Sequence, residues 1–441
     1  MASSAEEASS GLQLYLAKLR LFTRNAKLVL VYSAMTGLAF GVFRFLFNFY
    51  VLSLGGYDER FLGLLTSLSS LGSLAVALPA VYLADRYSHK RPMVVTGWIS
   101  AAAFAGLVLL PTRGSLITFN MILGLTMSIR QIVIAPFLMN NTSREERQYV
   151  FSFQFGLNTM ASFAGNLVGG LLPTWLGAWA GVGPTDSLAY RLALGSMVLV
   201  SALAVGPLML IRTREPGAEA EVELPWTLLR RHAAQLGKLI LPNWIIGLGA
   251  GMMMPFMNLY YRNVFGKSDS VIGYLFASGL LAMAIAQFIA PPIADRIGKI
   301  PFVVLTQAIS VPFLLSLALA AWTVPRGGDV TLWFVIAWGA YLFRLALMNM
   351  SGPVYQTFIL EQVPDNVQAL AARLNNIAFQ FGWVLSPQLS GYFQTHQGWV
   401  PVFMTTSILY VIGIAVTWVF FHDVTERPPQ PEAAGKTTAL D

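Results

Sequence analysis

The sequence has no cysteine and very little charge. Of its 441 residues, 11% are charged and 56% are hydrophobic. A soluble globular domain carries about 25% charged residues, so most side chains of this chain must face lipid or other helices. The lack of cysteine excludes disulfide bonds, thiol catalysis and cysteine-ligated metal sites.

Acidic residues and histidines are missing from the middle of every long apolar stretch. All 21 acidic residues lie in predicted loops, tails or helix ends. An enzyme would need a nucleophile, a base or a metal ligand, and these stretches contain no acid, histidine or cysteine. The sequence therefore predicts a protein that is not an enzyme and that holds no cofactor and no metal.

Apolar stretches of the length that crosses a bilayer, about 20 residues, make up most of the chain. Twelve of them are predicted as transmembrane helices 1 to 12. The first six cover 28–54, 59–83, 92–111, 115–139, 148–174 and 189–211. The other six cover 238–263, 269–293, 301–324, 330–359, 369–394 and 400–422. The predicted fold class is an all-α integral membrane protein built from two six-helix bundles.

The remaining polar segments set the domain boundaries. The N-terminal bundle is predicted at 28–211 and the C-terminal bundle at 238–422, with a polar linker at 212–237. Segment 1–27 contains alternating leucines and basic residues, a pattern typical of an amphipathic helix on the inner membrane surface. Segment 423–441 is a proline-rich tail of the kind that stays disordered.

Lysine and arginine predict the orientation. If both termini and the linker are cytosolic, 18 of the 28 basic residues lie inside, 6 lie outside and 4 lie within helices. This is the positive-inside bias, and it explains the net charge of +7 without a nucleic-acid partner. We expect a multi-pass protein of the cell or inner membrane with both termini in the cytosol. Its expected partners are the lipid bilayer, a small-molecule substrate and, where transport is coupled, an ion such as the proton.

The two halves repeat each other at a distance of 210 residues. The loop after helix 2 contains Leu83-Ala84-Asp85-Arg86, with Lys90 following, and the second half contains Ile293-Ala294-Asp295-Arg296, with Lys299 following. The match extends upstream, where Asn48 and Tyr50 correspond to Asn258 and Tyr260. Parallel repeats of this kind are the signature of one transporter architecture.

The repeated motif resembles that of the major facilitator superfamily, which reads roughly G-x-L-A-D-R-x-G-R-K after helix 2. Val81, Ser88 and Pro291 stand where that motif has glycine. The resemblance implies a secondary transporter with alternating access, in which helices 1, 4, 7 and 10 line a central cavity. It also implies a conformational switch that makes and breaks contacts between the halves, formed by Asp85, Arg86, Asp295 and Arg296.

Three arginines lie near the centres of predicted helices, Arg44 in helix 1, Arg130 in helix 4 and Arg344 in helix 10. A charge inside the bilayer is costly and is usually functional. The guanidinium group stays charged and fits carboxylate or phosphate. Without a buried carboxylate to pair with, these arginines are expected to bind an anionic substrate. The alternative is that each one bonds to backbone carbonyls or to asparagine and tyrosine neighbours and only packs helices.

The polar residues Asn48, Asn258 and Tyr260 extend the expected substrate site. Arg44 and Asn48 share one face of helix 1, because residues four apart in a helix are neighbours. Asn258 occupies the equivalent position in helix 7, and Tyr260 follows it. The alternative is that these amides form hydrogen bonds between helices, which are individually modest in membranes.

The sequence thus predicts a secondary transporter for an organic anion or an anionic amphiphile. Three other functions stay open. A proton-coupled exporter of lipophilic drugs would be expected to keep a carboxylate in the membrane. A lipid translocase would suit basic residues beside an apolar wall. A non-transporting membrane receptor would be expected to carry a sensing domain, for which the loops are short.

Overall fold

A computed structural model describes residues 22–86, 90–141, 144–212 and 225–424. Over these ranges the backbone is helical apart from short connections, and no strand is present. The predicted N-terminal amphipathic helix lies almost wholly outside the described residues, and so does most of the predicted tail. The predicted all-α fold class is confirmed.

Twelve helical units follow one another and keep the numbers of the predicted helices. The first half contains Arg24–Ser53, Glu59–Arg86, Lys90–Leu109, Arg113–Asn141, Arg144–Ala180 and Ser187–Met209. Helix 7 has two parts, Pro225–Met253 and Met257–Phe265, joined by a 3-10 turn, Met254–Phe256. The chain continues with Asp269–Ile297, Lys299–Thr323, Val330–Glu361, Asp365–Gln397 and Trp399–Phe421.

Nine of the helices in the described part of the chain are long and apolar enough to cross a membrane. Helices 2, 5 and 11 are not among the nine. Helices 2 and 11 pack against each other across the two halves, and helix 5 packs against helix 8 of the other half. Helices 2, 5 and 11 therefore all contact the opposite half of the protein.

Helix 7 begins at Pro225, inside the segment 212–237 that the sequence predicts as a linker. Arg230 and Arg231 are exposed in this first part, whereas Leu236 and Leu239 are buried. The first part of helix 7 is thus amphipathic. Helix 7 therefore extends back into the predicted linker, and the candidate membrane span within it begins at Leu229.

The two halves repeat the same packing arrangement. Helix 1 packs on helices 5 and 6, helix 2 on helix 4, and helix 3 on helix 6. In the second half helix 7 packs on helices 11 and 12, helix 8 on helix 10, and helix 9 on helix 12. The internal repeat of the sequence is thus a repeat of helix packing.

The bundle has two ends, which we call the linker end and the distal end. At the linker end the Asn25 side chain donates to the Arg212 carbonyl at 2.7 Å, and Gln235 donates to the Gln362 carbonyl at 2.6 Å. The distal end carries the short connections at 54–58, 110–112, 181–186, 266–268 and 324–329.

The halves meet closely at the distal end because glycines allow backbones to touch there. A β-carbon at Gly63 of helix 2 would lie 2.4 Å from the Pro387 carbonyl oxygen of helix 11. A β-carbon at Gly170 of helix 5 would lie 2.8 Å from the Asp269 carbonyl oxygen of helix 8. Small residues permit this kind of close helix contact in membranes.

Candidate functional site

Arg44 of the first half and Arg344 of the second half are both within electrostatic range of Tyr341. The Arg44 side chain is exposed although helix 1 is central. The charges of Arg44 and Arg344 both act on the Tyr341 hydroxyl of helix 10. Arg44 therefore faces the interface between the halves rather than the lipid. We call Arg44, Tyr341 and Arg344 the two-arginine site.

Arg344 is 1% exposed and is held without an acidic partner. Its Nη1 lies 2.9 Å from the Met254 sulfur, and its Nη2 donates to the Tyr410 hydroxyl. The guanidinium carbon lies 5.4 Å from the centre of the Tyr410 ring, within the range of a cation–π contact. Its Nε has no hydrogen-bond partner in the described protein. A buried donor without an acceptor is costly, so this group is available to a bound anion.

Met254 reaches Arg344 because helix 7 is interrupted at this residue. Pro255 has no backbone N–H and its ring disfavours a continuous α-helix. The backbone adopts a 3-10 turn over Met254–Phe256 before the helix resumes. The Pro255 carbonyl is left for another donor, and the Asn48 amide of helix 1 donates to it at 2.6 Å.

Asn48 and Asn258 pair with each other across the two halves. The Asn48 amide donates to the Asn258 side-chain oxygen at 2.9 Å. The Asn258 amide donates to the Phe45 carbonyl at 2.8 Å, just as Asn48 donates to the Pro255 carbonyl. Each acceptor carbonyl belongs to the residue three positions before the partner asparagine, so the contact is two-fold symmetric. Both amides are buried, and their predicted contact with substrate stays a prediction.

Tyr260 lies inside the second half, away from the two-arginine site. It is fully buried, and its hydroxyl donates to the Leu317 carbonyl at 2.9 Å. Tyr50 makes the equivalent bond in the first half, to the Leu107 carbonyl at 3.0 Å. In this conformation the structure does not bring Tyr260 together with the arginines.

Arg130 lies in a different place from Arg44 and Arg344. Its guanidinium interacts with the Tyr32 hydroxyl of helix 1. Both residues line a cavity of about 30 Å³ inside the first half, together with Thr36, Thr126 and further hydroxyl side chains. Tyr32 is about 18 Å from Arg44 along helix 1. The predicted cluster of three arginines is therefore a pair and a separate single residue.

The predicted switch residues lie at the linker end of helices 2 and 8. Asp295 and Arg296 are exposed there. The side chains of Asp85 and Arg86 lie outside the described part of the structure. The switch role of these four residues stays a prediction.

A buried cluster at the distal end was not predicted from the sequence. Asp269, the first residue of helix 8, is 7% exposed and forms an ion pair with Arg262 of helix 7. The Tyr190 hydroxyl of helix 6 donates to Asp269 at 2.7 Å and accepts from Arg262 at 2.7 Å. The Arg262 guanidinium carbon lies 3.5 Å from the centre of the Phe49 ring of helix 1. We call these four residues the Asp269 cluster.

The expectation that no carboxylate is buried is therefore wrong at Asp269. The acid stands at a predicted helix end, and its position alone suggested exposure to water. The repeat contained a difference that could have pointed to this ion pair. Asp269 corresponds to the acid Glu59, whereas Arg262 corresponds to Leu52. The second half adds a base where the first half has an apolar residue.

Metal coordination has no support among the described residues. No group of three or more histidine and acidic side chains in those ranges could hold a metal ion. Among the described residues, the ionisable groups at the interface between the halves include the two arginines, Arg60 over the Tyr392 ring, and Asp269 with Arg262 and Tyr190. This arrangement is suited to binding charged solutes.

Sequence relatives of this chain are transporters by name. An uncharacterized MFS-type transporter of Enterobacter sp. (strain 638) is 25% identical over 339 residues, covering 72% of this chain and 84% of that protein. A gallate transporter of Pseudomonas putida is 28% identical over 153 residues, covering 35% of this chain and 32% of that protein.

Solved structures share the fold at low sequence identity. A mutant of the nucleoside transporter NupG superposes with a TM-score of 0.72 and 14% identity, covering 90% of this chain and all of that chain. A bacterial homologue of the human lysosomal transporter Spinster, inward-facing and unoccupied, has a TM-score of 0.69 and 14% identity, covering 90% of this chain and 96% of that one.

The family follows from the motif, the fold and the sequence match together. The model of the Major Facilitator Superfamily matches residues 29–387 and 243–440. These matches span most of the described helices and include both copies of the repeated motif. The chain belongs to the Major Facilitator Superfamily and is a multi-pass integral membrane transporter.

Proposed function

We propose that this transporter carries an organic anion, bound between Arg44 and Arg344. The observation that carries the proposal is that the charges of two guanidinium groups from opposite halves act on Tyr341 and, among the described residues, no carboxylate contacts either one. An anion placed between them would supply the missing counter-charge. A guanidinium group can bind a carboxylate through two parallel hydrogen bonds.

The state of each arginine supports this assignment. Arg44 is exposed and can meet a solute first, whereas Arg344 is buried and keeps an unpartnered Nε. Binding an anion at Arg344 would satisfy that donor, and the gain is larger in a site with little water. The pair can thus bind one anion from two sides, one half of the protein on each side.

The rings near the site favour an organic anion over an inorganic one. The Phe276 ring lies 6.0 Å from that of Phe45 across the halves and 5.5 Å from that of Tyr341. Such rings can pack against an apolar or aromatic body whose charged group binds arginine. A relative named as a gallate transporter, although it matches only 35% of this chain, is consistent with an aromatic carboxylate.

We propose that alternating access depends on the 3-10 turn of helix 7, Met254–Phe256. Arg344 contacts Met254 in this turn, and the next carbonyl, of Pro255, accepts from Asn48 in the other half. An anion that draws Arg344 away from Met254 would loosen the turn and weaken the Asn48–Asn258 contact. The anion would then favour the state in which the distal end opens.

The conformation described here has its distal end closed. The hydrogen bonds that the structure describes between the halves involve Asn48, Asn258, Tyr190 and Ser270, all near that end. With the linker end in the cytosol, as the basic residues predict, this state is inward-facing. Asp85, Arg86, Asp295 and Arg296 would then engage across the halves only when the distal end opens.

The proposal is tested by thermal unfolding of the purified protein with organic anions, gallate and benzoate first. A ligand that binds the folded state raises the melting temperature. We expect both anions to stabilise the wild type, and we expect Arg44→Gln and Arg344→Gln to lose that stabilisation. Arg326→Gln is the matched control, because Arg326 is exposed at the distal end and donates to the Trp322 carbonyl at the end of helix 9.

Stabilisation by lipophilic cations alone would contradict the anion proposal and favour a drug exporter. Stabilisation by lysolipids but not by small anions would favour a lipid translocase. If the gallate effect survives in both arginine variants, the arginines only pack helices. A stabilising anion that proteoliposomes do not take up would favour a non-transporting receptor.

A further inference from the structure

We infer that Asp269 is the proton-binding site of this transporter and that proton binding there opens the distal end. The inference rests on the proposed transport function and assigns its coupling ion. Among the residues whose burial the structure describes, Asp269 is the one buried carboxylate. It lies where the two halves meet, at the end of the bundle that is closed.

The contact between the two halves at the distal end depends on the negative charge of Asp269. Arg262 donates to one carboxylate oxygen of Asp269 and Tyr190 donates to the other. Tyr190 belongs to the first half, whereas Arg262 and Asp269 belong to the second. The N-terminus of helix 8 also favours a negative charge at its first residue. A protonated Asp269 would offer Arg262 no counter-charge and would leave that base at a largely buried interface.

In the described part of the chain, the other elements packed around Asp269 supply no second counter-charge. Helix 5 contributes Gly170, and helix 1 contributes the Phe49 ring. The nearby base Arg191 points elsewhere, since its Nε donates to the Val108 carbonyl. Lys267 lies over the Phe334 ring at 4.4 Å. Of the residues that the structure describes, Arg262 and Tyr190 are therefore the titratable groups that bind Asp269.

The proton step is a simple exchange of partners. The Asp269 carboxylate takes a proton from the distal solvent and becomes a neutral carboxyl group. The ion pair with Arg262 is lost, and Tyr190 loses an anionic acceptor, so Phe49 and Tyr190 of the first half separate from Arg262 of the second. Proton binding and distal opening are then linked reciprocally, since whatever favours one favours the other.

This arrangement couples the proton to the organic anion without direct contact. The two-arginine site bears positive charge and would repel a proton, whereas the Asp269 cluster has a carboxylate to receive it. Asn48 and Phe49 are adjacent in helix 1, so both sites act on the same distal contact. The anion acts through the helix 7 turn and the proton acts through Arg262.

The test is the distance between spin labels on the distal faces of the two halves. The natural chain has no cysteine, so Gly114→Cys and Thr331→Cys attach labels only at the start of helix 4 and of helix 10. Gly114 has open space at its β-carbon and Thr331 is exposed. Electron–electron distances are measured on the full-length protein in lipid nanodiscs, without organic substrate.

We expect the population of the longer distance to rise about threefold or more as the pH falls from about 8 to about 4.5. Asp269→Asn removes the charge with little change in shape, and we expect it to show the longer distance at both pH values. The matched control is Glu361→Gln. This change breaks an ion pair of partly buried side chains, Lys299–Glu361, which lies at the linker end rather than the distal end. It should keep the wild-type response to pH.

A second variant keeps the test decisive if Asp269→Asn does not fold. Arg262→Gln removes the base through which the proton acts, so the distance distribution should lose most of its response to pH. A wild type without a pH response, or a full response in Asp269→Asn, would overturn the assignment. Since no organic substrate is present, failure of the anion proposal in the thermal assay would leave this result unaffected.

Discussion

At the scale of single residues, the contact between Asn48 and Asn258 shows how the internal repeat is used. Each amide bonds the backbone of the opposite half, three positions before the other asparagine. Both residues are buried, at 6% and 3% exposure. A symmetric pair of bonds closes one end of the bundle without any charge, and it breaks as a unit when the halves separate.

Replacing Asn48 with alanine should shift the protein toward the distal-open state. The change removes two bonds across the halves and leaves Asn258 with fewer partners, which we expect to cost the closed state about 1 kcal/mol, or about fivefold in population. The same spin-label distance measures it. In the Asn48→Ala, Asn258→Ala double variant, the effects should be less than additive.

The matched control for this prediction is Asn120→Ala. Asn120 is equally buried and donates to the Leu65 carbonyl at 2.8 Å, but both residues belong to the first half. Its loss should lower the melting temperature and leave the distance distribution unchanged. If Asn120→Ala opened the distal end as much as Asn48→Ala, the asparagine pair would have no special part in closure.

At the scale of helices, close packing of helices 5 and 8 determines how completely the distal end can close. The α-carbons of Gly170 and Gly273 face each other, and a β-carbon on either would lie 3.2 Å from the opposite α-carbon. The Asp269 carbonyl lies beside the same contact. Separation of these helices would also separate the Asp269 cluster.

Gly170→Val should therefore hold the distal end partly open. The added side chain cannot fit between the two backbones, since even its β-carbon would lie 2.8 Å from the Asp269 carbonyl oxygen. We expect the longer spin-label distance to dominate even near neutral pH. Gly195→Val on helix 6 is the control, because its β-carbon position is open; a shift of equal size in that variant would contradict this explanation.

At the scale of the whole molecule, the distribution of basic residues predicts which end faces the cytosol. Basic residues are concentrated in the segments at the linker end, including the linker itself. The positive-inside rule then places the distal end outside. This orientation decides whether the closed distal end described here is an outer or an inner gate.

The orientation is tested in intact cells with a thiol reagent that does not cross membranes. A single cysteine at Gly114 should react, and one at Glu219 in the linker should react only after the cells are permeabilised. No background labelling of the chain is expected, because the natural sequence has no cysteine. Labelling of the Glu219 variant in intact cells would invert the predicted topology and make the conformation outward-facing.

The helices, their order and the family could be predicted from the sequence alone. Membrane helices need about 20 apolar residues in a row, a local property that hydropathy reports directly. The 210-residue repeat predicted two similar halves, and the structure shows matching contacts such as Tyr50 with Leu107 and Tyr260 with Leu317. Helix 7 itself begins before its predicted membrane span, because its first turns are amphipathic.

Only the tertiary structure decided which polar residues share a site. Helical spacing places residues on a face, but it does not say which face of another helix meets them, since that depends on how the two halves pack. The charges of Arg44 and Arg344 both act on Tyr341, whereas the charge of Arg130 acts on Tyr32 elsewhere. Asp269 stands at a helix end, and its burial follows from contact with Tyr190 of the other half, nearly 80 residues earlier in the chain. Long-range packing of this kind leaves no local pattern in the sequence.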